Sequence, residues 1–318
     1  MRVVFLGSPE FALPSLRRLI ESDHDIVGVF TQPDRPVGRG RRLAPPPVKT
    51  LAIERGLAVF QPPSISKPEA VEQLRALAPD IGVIAAYGQI LRQRVLDVPR
   101  LGVLNVHASL LPRWRGAAPV PAAILAGDER AGATIMRVVL ALDAGPMLDR
   151  VEVSIRPDDT AGTLLGRVAE AGADLLMRVL PPWEAGEITP QEQDEALATY
   201  APQIKKADAL IDWQHEPAAG VCRKVRAYNP WPIAYSYLDG QPLRVHDAAE
   251  RPERIAAPPG TIVASNGDGH DEGIACAAAD ASVVLLRVQG PGGKVMSGAE
   301  FRRGHAEIIG KRLSSNPG

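Results

Sequence analysis

Apolar residues fall in continuous runs through the first half of the chain, separated by polar segments of helical length. "RVVFLG", "IVGVFT", "DIGVIAAYG" and "LGVLNVH" are strand-length runs without alternation, as expected of strands covered on both faces. Between them, "FALPSLRRLIES", a segment near Val48–Arg55 and "PEAVEQLRALA" predict helices, and "LAVFQP" predicts a short strand. Glu69 and Glu72 lie near the start of the third helix, where carboxylates complement the helix dipole. This order predicts an α/β domain built on a doubly wound parallel sheet. In such sheets ligands sit outside the carboxyl ends of the strands. "ATIMRVV" and "MLDRVEVSI" predict two more strands, and "DTAGTLLGRVAEAGADLLMRVL" a long helix.

The pattern then changes. "PPWEAGEITPQEQDEALATYAPQIKKADALIDW" is polar and weakly periodic, and predicts a linker. Short β-like runs follow, "AYSYL", "LRVHDA", "GTIVAS", "GIACAA" and "SVVLLRVQ", with Gly, Pro, Asn and Asp between them. They predict a small β-barrel. The expected division is a first domain over residues 1–189, a linker over 190–206 and a smaller domain over 207–318.

Composition sharpens this picture in a few places. A length of 318 residues suits two domains, and 45% hydrophobic residues give ample material for their cores. The net charge of −1 provides no global field for nucleic acid, so any RNA contact must come from a local patch. Cys222 and Cys276 lack CxxC spacing and read as reduced thiols. The first apolar run is broken by Gly7, Ser8 and Pro9, which is too short for a signal peptide, and no run suggests a membrane span. A cytoplasmic protein without membrane contact or bound metal is expected.

Three glycine-bearing stretches carry little chemistry. "GSPEF" lacks the spacing of a dinucleotide loop and reads as a tight strand-to-helix turn. "GPGGK" reads as a β-turn, and "SNGDGHDEG" as a solvated hairpin loop. "NVHASLLPRWRG" is different. Residues two apart on a strand share a face, so Asn105 and His107 should project side by side at a strand's carboxyl end. An imidazole can trade a proton near neutral pH, and a carboxamide can donate to a developing oxyanion. Together they suit acyl-group chemistry. Capping of the strand by the two side chains is the structural alternative. Asp143, in "LDAG", is either a partner that fixes the tautomer of His107 or an Asx-turn residue. The stretch Pro33–Lys49 holds Arg35, Arg39, Arg41, Arg42 and Lys49 against Asp34 alone, a local charge of +4. It predicts either a solvated loop or a clamp for a phosphate backbone.

"NVHASLLPRWRGAAP" with "LDAG" resembles the N10-formyltetrahydrofolate-dependent formyltransferases. "FTQPDRPVGRGRRLAPPPVK", "IDW", "VRAYNPWP" and "GGKVMSGAEFRRG" resemble the branch of that family that formylates methionyl initiator tRNA, and the likeness spans nearly the whole chain. The resemblance implies a Rossmann-like first domain and an OB-fold-like second domain that helps hold tRNA. It implies 10-formyltetrahydrofolate as the formyl donor, with Asn105, His107 and Asp143 as the catalytic trio. Ser109, Leu110, Leu111 and Pro112 match the folate-contacting segment, and Tyr87 and Gly88 are expected to flank the same pocket. Arg39, Arg41 and Arg42 fall in the loop that approaches the tRNA acceptor end, and Lys205 and Lys206 are assigned to tRNA with them. The implied partners are methionyl initiator tRNA and the folate, and the implied state is a monomer.

Two positions depart from the family pattern: Pro121 and Ala122 replace a frequent Gln-Arg pair, and Ala209 stands where Gly is common. Residues 207–318 carry 12 Lys/Arg against 13 Asp/Glu, so tRNA binding there would use one face only. A formyltransferase acting on a sugar-nucleotide amine would share the trio but have no use for the arginine loop. A glycinamide-ribonucleotide formyltransferase would be a single domain. An idle RNA-binding module would have no need of an intact trio.

Overall fold

The computed structural model describes residues 1–37, 42–264 and 273–317. The chain forms two compact units. The first comprises Met1–Pro119, Arg130–Ser154 and Leu165–Pro202; the second comprises Val120–Glu129, Ile155–Leu164 and Gln203–Gly318.

The elements begin with β1 (Arg2–Gly7), α1 (Leu13–Ile20) and β2 (Asp25–Phe30). A hairpin of β3 (Arg35–Val37) and β4 (Arg42–Ala44) follows, then α2 (Pro47–Glu54) and β5 (Val59–Phe60). Next come α3 (Pro68–Ala76), β6 (Ile81–Ala85), α4 (Gln93–Leu96), β7 (Val103–His107) and β8 (Arg115–Gly116). They are followed by α5 (Pro119–Ala126), β9 (Arg130–Arg137), β10 (Met147–Ser154), α6 (Ala161–Glu184) and β11 (Tyr200–Ala201). Both α2 and α3 open on proline at the first helical position, where its fixed φ and missing N–H cost nothing. Each then buries a stripe at helical spacing: Val48, Leu51 and Ala52 in α2, and Ala70, Val71 and Leu74 in α3.

The first unit is built on a seven-stranded sheet in the order β10-β9-β7-β6-β1-β2-β5. The five strands from β7 to β5 are parallel, while β9 is antiparallel to β7 and β10 to β9. The sheet is thus doubly wound and mostly parallel, with an antiparallel edge. The loop 138–146 that joins β9 to β10 holds no helix, and a parallel pair needs a crossover of a dozen residues or more, so β10 returns antiparallel to β9. β1 and β6 are buried nearly end to end, as their unbroken apolar runs require. Helix α6 runs to Glu184, through Pro181 and Pro182 and past the end of its predicted segment. Its Gly172 lies against the sheet, where a Cβ would stand 2.8 Å from Val106 and 3.0 Å from Ala133. The arginine-rich stretch is not all loop, because β3 and β4 pair on either side of it; Arg39 and Arg41 lie outside the described residues, as does most of "SNGDGHDEG".

The second unit holds α7 (Ala218–Ala227), β12 (Ala234–Leu238), β13 (Gln241–Arg251), β14 (Ile262–Val263), β15 (Ile274–Ala277), β16 (Ser282–Gln289), β17 (Met296–Ser297) and α8 (Gly298–Gly304). Its antiparallel sheet has the order β12-β13-β16-β15-β14, with β17 also on β16. Residues 310–314 bridge the two end strands. Ser314 and Tyr237 exchange backbone hydrogen bonds at 2.9 Å, and the Ile262 N–H donates to Lys311 O at 2.8 Å. A curled sheet closed in this way is the predicted barrel. Its core gathers Trp213, Val221, Val245, Leu285 and Leu313, with the Trp213 indole N–H donating to Ser236 Oγ at 2.9 Å.

Candidate active site

The carboxyl ends of the parallel strands are tied together by one hydroxyl. Ser8, in the turn after β1, donates to Tyr87 O and accepts from Thr31 Oγ1 and from the Gln32 N–H. The "GSPEF" turn therefore braces the sheet mouth.

Asn105 and His107 lie on β7, with Asn105 half-buried and His107 buried. Among the described residues the Asn105 carboxamide has no hydrogen-bond partner, so its amide N–H groups remain available. His107 is held by its other edge. Nε2 lies 3.0 Å from Trp114 O, which can only accept, so Nε2 carries a proton. Nδ1 then faces Asp143 Oδ2 at 3.7 Å. That distance exceeds a hydrogen bond and leaves room for a proton-bearing group to engage both. The same Oδ2 accepts from the Gly116 N–H at 2.8 Å.

The segment after β7 is tightly built. Thr134 Oγ1 on β9 donates to Ser109 O at 2.7 Å and accepts from the Leu111 N–H at 3.1 Å. Ser109 Oγ donates to Arg113 O at 2.7 Å. The Leu111–Pro112 peptide is cis, and the Leu111 side chain is buried with Met136 and Met147. Of the four residues matched to the folate segment, only Leu110 and Pro112 keep partly exposed side chains. Trp114 has φ +62, and its N–H donates to Thr199 Oγ1 at 2.9 Å. β8 pairs in parallel with β11, bringing Gly116 to Ala201.

Asp143 itself has φ +48. Its loop is fastened by Gln193, whose amide donates to Asp143 O at 2.8 Å and Gly145 O at 2.7 Å. Gly145 is required, because a Cβ there would collide with Arg137 O. Sequence patterning does not reveal Gly116, Trp114, Gln193 or Thr199: their contributions are two backbone atoms and two side chains in polar, aperiodic stretches.

The remaining predicted residues are dispersed. Gly88 is exposed, with φ +79. The Tyr87 side chain is buried in the core with Leu6, Phe30 and Ile84, its hydroxyl without a partner among the described residues, and burial pushes the phenol well above its usual range. Arg42 lies at the start of β4. Lys49 is committed to Asp34, with both carboxylate oxygens 2.8 Å from its Nζ. Lys205 and Lys206 are exposed residues of the second unit.

Fold and site together define an α/β group-transfer enzyme with an appended barrel. The formyl transferase family pattern matches residues 1–180, and the pattern of its C-terminal domain matches residues 203–306, so the chain belongs to the formyl transferase family. The methionyl-tRNA formyltransferase of Methylococcus capsulatus is 50% identical over 99% of this chain and 100% of its own length. That of Chloroflexus aurantiacus is 47% identical over 97% and 99%. Among solved structures, HypX from Aquifex aeolicus in complex with tetrahydrofolic acid superposes with a TM-score of 0.62 at 19% identity, covering 97% of this chain and 47% of that one. An N-formyltransferase from Helicobacter canadensis, with folinic acid and dTDP-3-aminofucose, gives 0.67 at 14%, covering 91% and 99%. Both share the fold.

Proposed function

We propose that this chain transfers the formyl group of 10-formyltetrahydrofolate to the amino group of methionyl initiator tRNA, in preparation for translation initiation. The observation that carries the chemistry is the Asn105 carboxamide, without a hydrogen-bond partner among the described residues, on the same strand end as the His107–Asp143 pair. The acceptor is supported by relatives of that activity at about half identity over nearly the full length. The donor is supported by the tetrahydrofolate bound in the HypX neighbour. The loops that carry Gly88 and Asp143 also expose Ile90, Leu140 and Leu142.

The neutral amine attacks the formyl carbon, and the carbonyl oxygen becomes an oxyanion that the Asn105 amide stabilises by donation. Nδ1 of His107 takes the proton the amine must lose, and the resulting imidazolium is held between Trp114 O and the Asp143 carboxylate. The same proton then goes to N10 of the folate as the C–N bond breaks. The state assigned to this chain is a monomer working in the cytoplasm. Arg39, Arg41 and Arg42, with Lys205 and Lys206, are assigned to the tRNA backbone.

The test is formyl-labelled donor offered in parallel to methionyl initiator tRNA, uncharged tRNA and an amino-sugar nucleotide. Label on methionyl-tRNA alone is expected. Label on the sugar nucleotide would keep the chemistry and overturn the acceptor.

A further inference from the structure

Gln193 lies in the polar stretch between the long helix and the second unit, yet it is only 8% exposed. Both N–H groups and the oxygen of its amide are engaged. The two N–H groups go to Asp143 O and Gly145 O, and Oε1 accepts from Arg115 Nε at 3.0 Å. This fixes the orientation of the amide. A guanidinium only donates and a carbonyl only accepts, so the flipped amide would oppose like groups at every contact. Arg115 is itself 1% exposed, and its two terminal nitrogens donate to both carboxylate oxygens of Glu195 at 2.8 and 3.0 Å. The segment is anchored on either side. Gln191 and Met147 exchange backbone hydrogen bonds at 2.8 Å, and β11 pairs with β8.

We propose that Gln193 is the positioning residue for Asp143. Clamped by the Arg115–Glu195 pair, its amide pins the carbonyls on either side of Ala144 and so holds Asp143 in its left-handed conformation. Oδ2 is thereby aimed at the Gly116 amide and at Nδ1 of His107. A loop whose central residue sits at φ +48 needs such outside restraint, because that conformation is disfavoured for a side-chain-bearing residue. Two N–H groups of one rigid amide, given to carbonyls two residues apart, supply it. The catalytic consequence rests on the proposed formyl transfer; the positioning itself does not.

The test uses Gln193→Glu and Gln193→Met in the full chain. Gln193→Glu keeps the shape and can still pair with Arg115, but ionised it has no hydrogen to give to either carbonyl. Two quantities are read. The first is hydrogen exchange at the Gly116 amide, which reports directly whether the Asp143 carboxylate is in place, with the Ala117 amide, bonded to Ala201 O, as internal control. The second is kcat and KM for formyl transfer. The expected result for both variants is Gly116 exchange faster by on the order of tenfold with Ala117 unchanged. The expected kinetic result is kcat lower by on the order of tenfold or more, with KM for donor and tRNA within about twofold. Unchanged Gly116 exchange overturns the proposal whatever reaction the site performs, and so does wild-type kcat in Gln193→Glu. If Gln193→Met loses Ala117 protection as well, the Gln193→Glu result decides. Absence of formyl transfer by the unmodified chain would count against the proposed function and leave the exchange result standing.

Discussion

The Asp143 carboxylate accepts a hydrogen bond from the main-chain amide of Gly116 at 2.8 Å, and the same oxygen faces His107. The aspartate is therefore oriented by backbone before substrate arrives. Two different loops, one after β7 and one after β9, meet at a single oxygen atom.

Gly116 is the position where this meeting is most easily disturbed. Its φ is +110, and a Cβ there would lie 2.7 Å from Ala201 O. Gly116→Ala should displace the amide from Asp143 and lower kcat by on the order of tenfold or more, with a stability loss of about 1–3 kcal/mol. Steady-state kinetics and urea melts check both. Wild-type values in each would show that neither the conformation nor the close approach matters.

Tyr87 separates a core role from a ligand role. Its hydroxyl is buried among packed aliphatic and aromatic side chains and has no partner among the described residues. Tyr87→Phe should leave the KM for the formyl donor unchanged and raise stability by up to about 1 kcal/mol, since an unsatisfied buried hydroxyl is removed. A marked rise in donor KM would return Tyr87 to the folate pocket.

Asp34 supplies a pH dependence. The hydrogen bond from Gln61, then that from Lys49, holds its carboxyl below the usual carboxylate range. A depressed folded value means the stabilisation is complete above the unfolded value and lost as pH falls through the folded one. Asp34→Asn should therefore melt below wild type at neutral pH, and the two curves should converge in strong acid. A gap that persists in acid would assign the loss to packing.

The arginines between β3 and β4 should act on RNA alone. Arg39→Ala should raise the KM for methionyl-tRNA and flatten its salt dependence, leaving donor binding unchanged. Kinetics at two ionic strengths decide the matter, and an equal loss of donor affinity would place the loop at the folate.

The parallel strands were legible because burial on both faces writes itself as unbroken apolar runs, and β16 coincides with the predicted run at Ser282–Gln289. The Asn105–His107 pair was legible because strand periodicity puts alternate residues on one face. Helix α7 was not, since its buried stripe of Ala218, Val221 and Val225 is interrupted by Gly220 and carries only two branched side chains. The supports of the site were least legible. Gln193, Thr199 and Gly116 act through hydrogen bonds between segments far apart in sequence, and such bonds leave no periodic trace. The stretch 191–201, whose composition reads as linker, supplies several of them.

Asn105 and His107 are the residues proposed to perform the transfer. The most direct measurement is the single-turnover rate of formyl transfer to methionyl initiator tRNA by wild type, Asn105→Ala and His107→Ala, with donor and tRNA affinities measured separately. Each variant should be slower by about two to three decades, the scale of a lost oxyanion donor for Asn105 and of a lost general base for His107, with both affinities within about threefold of wild type. Full single-turnover rates in both variants would contradict the account and move the chemistry away from the end of β7.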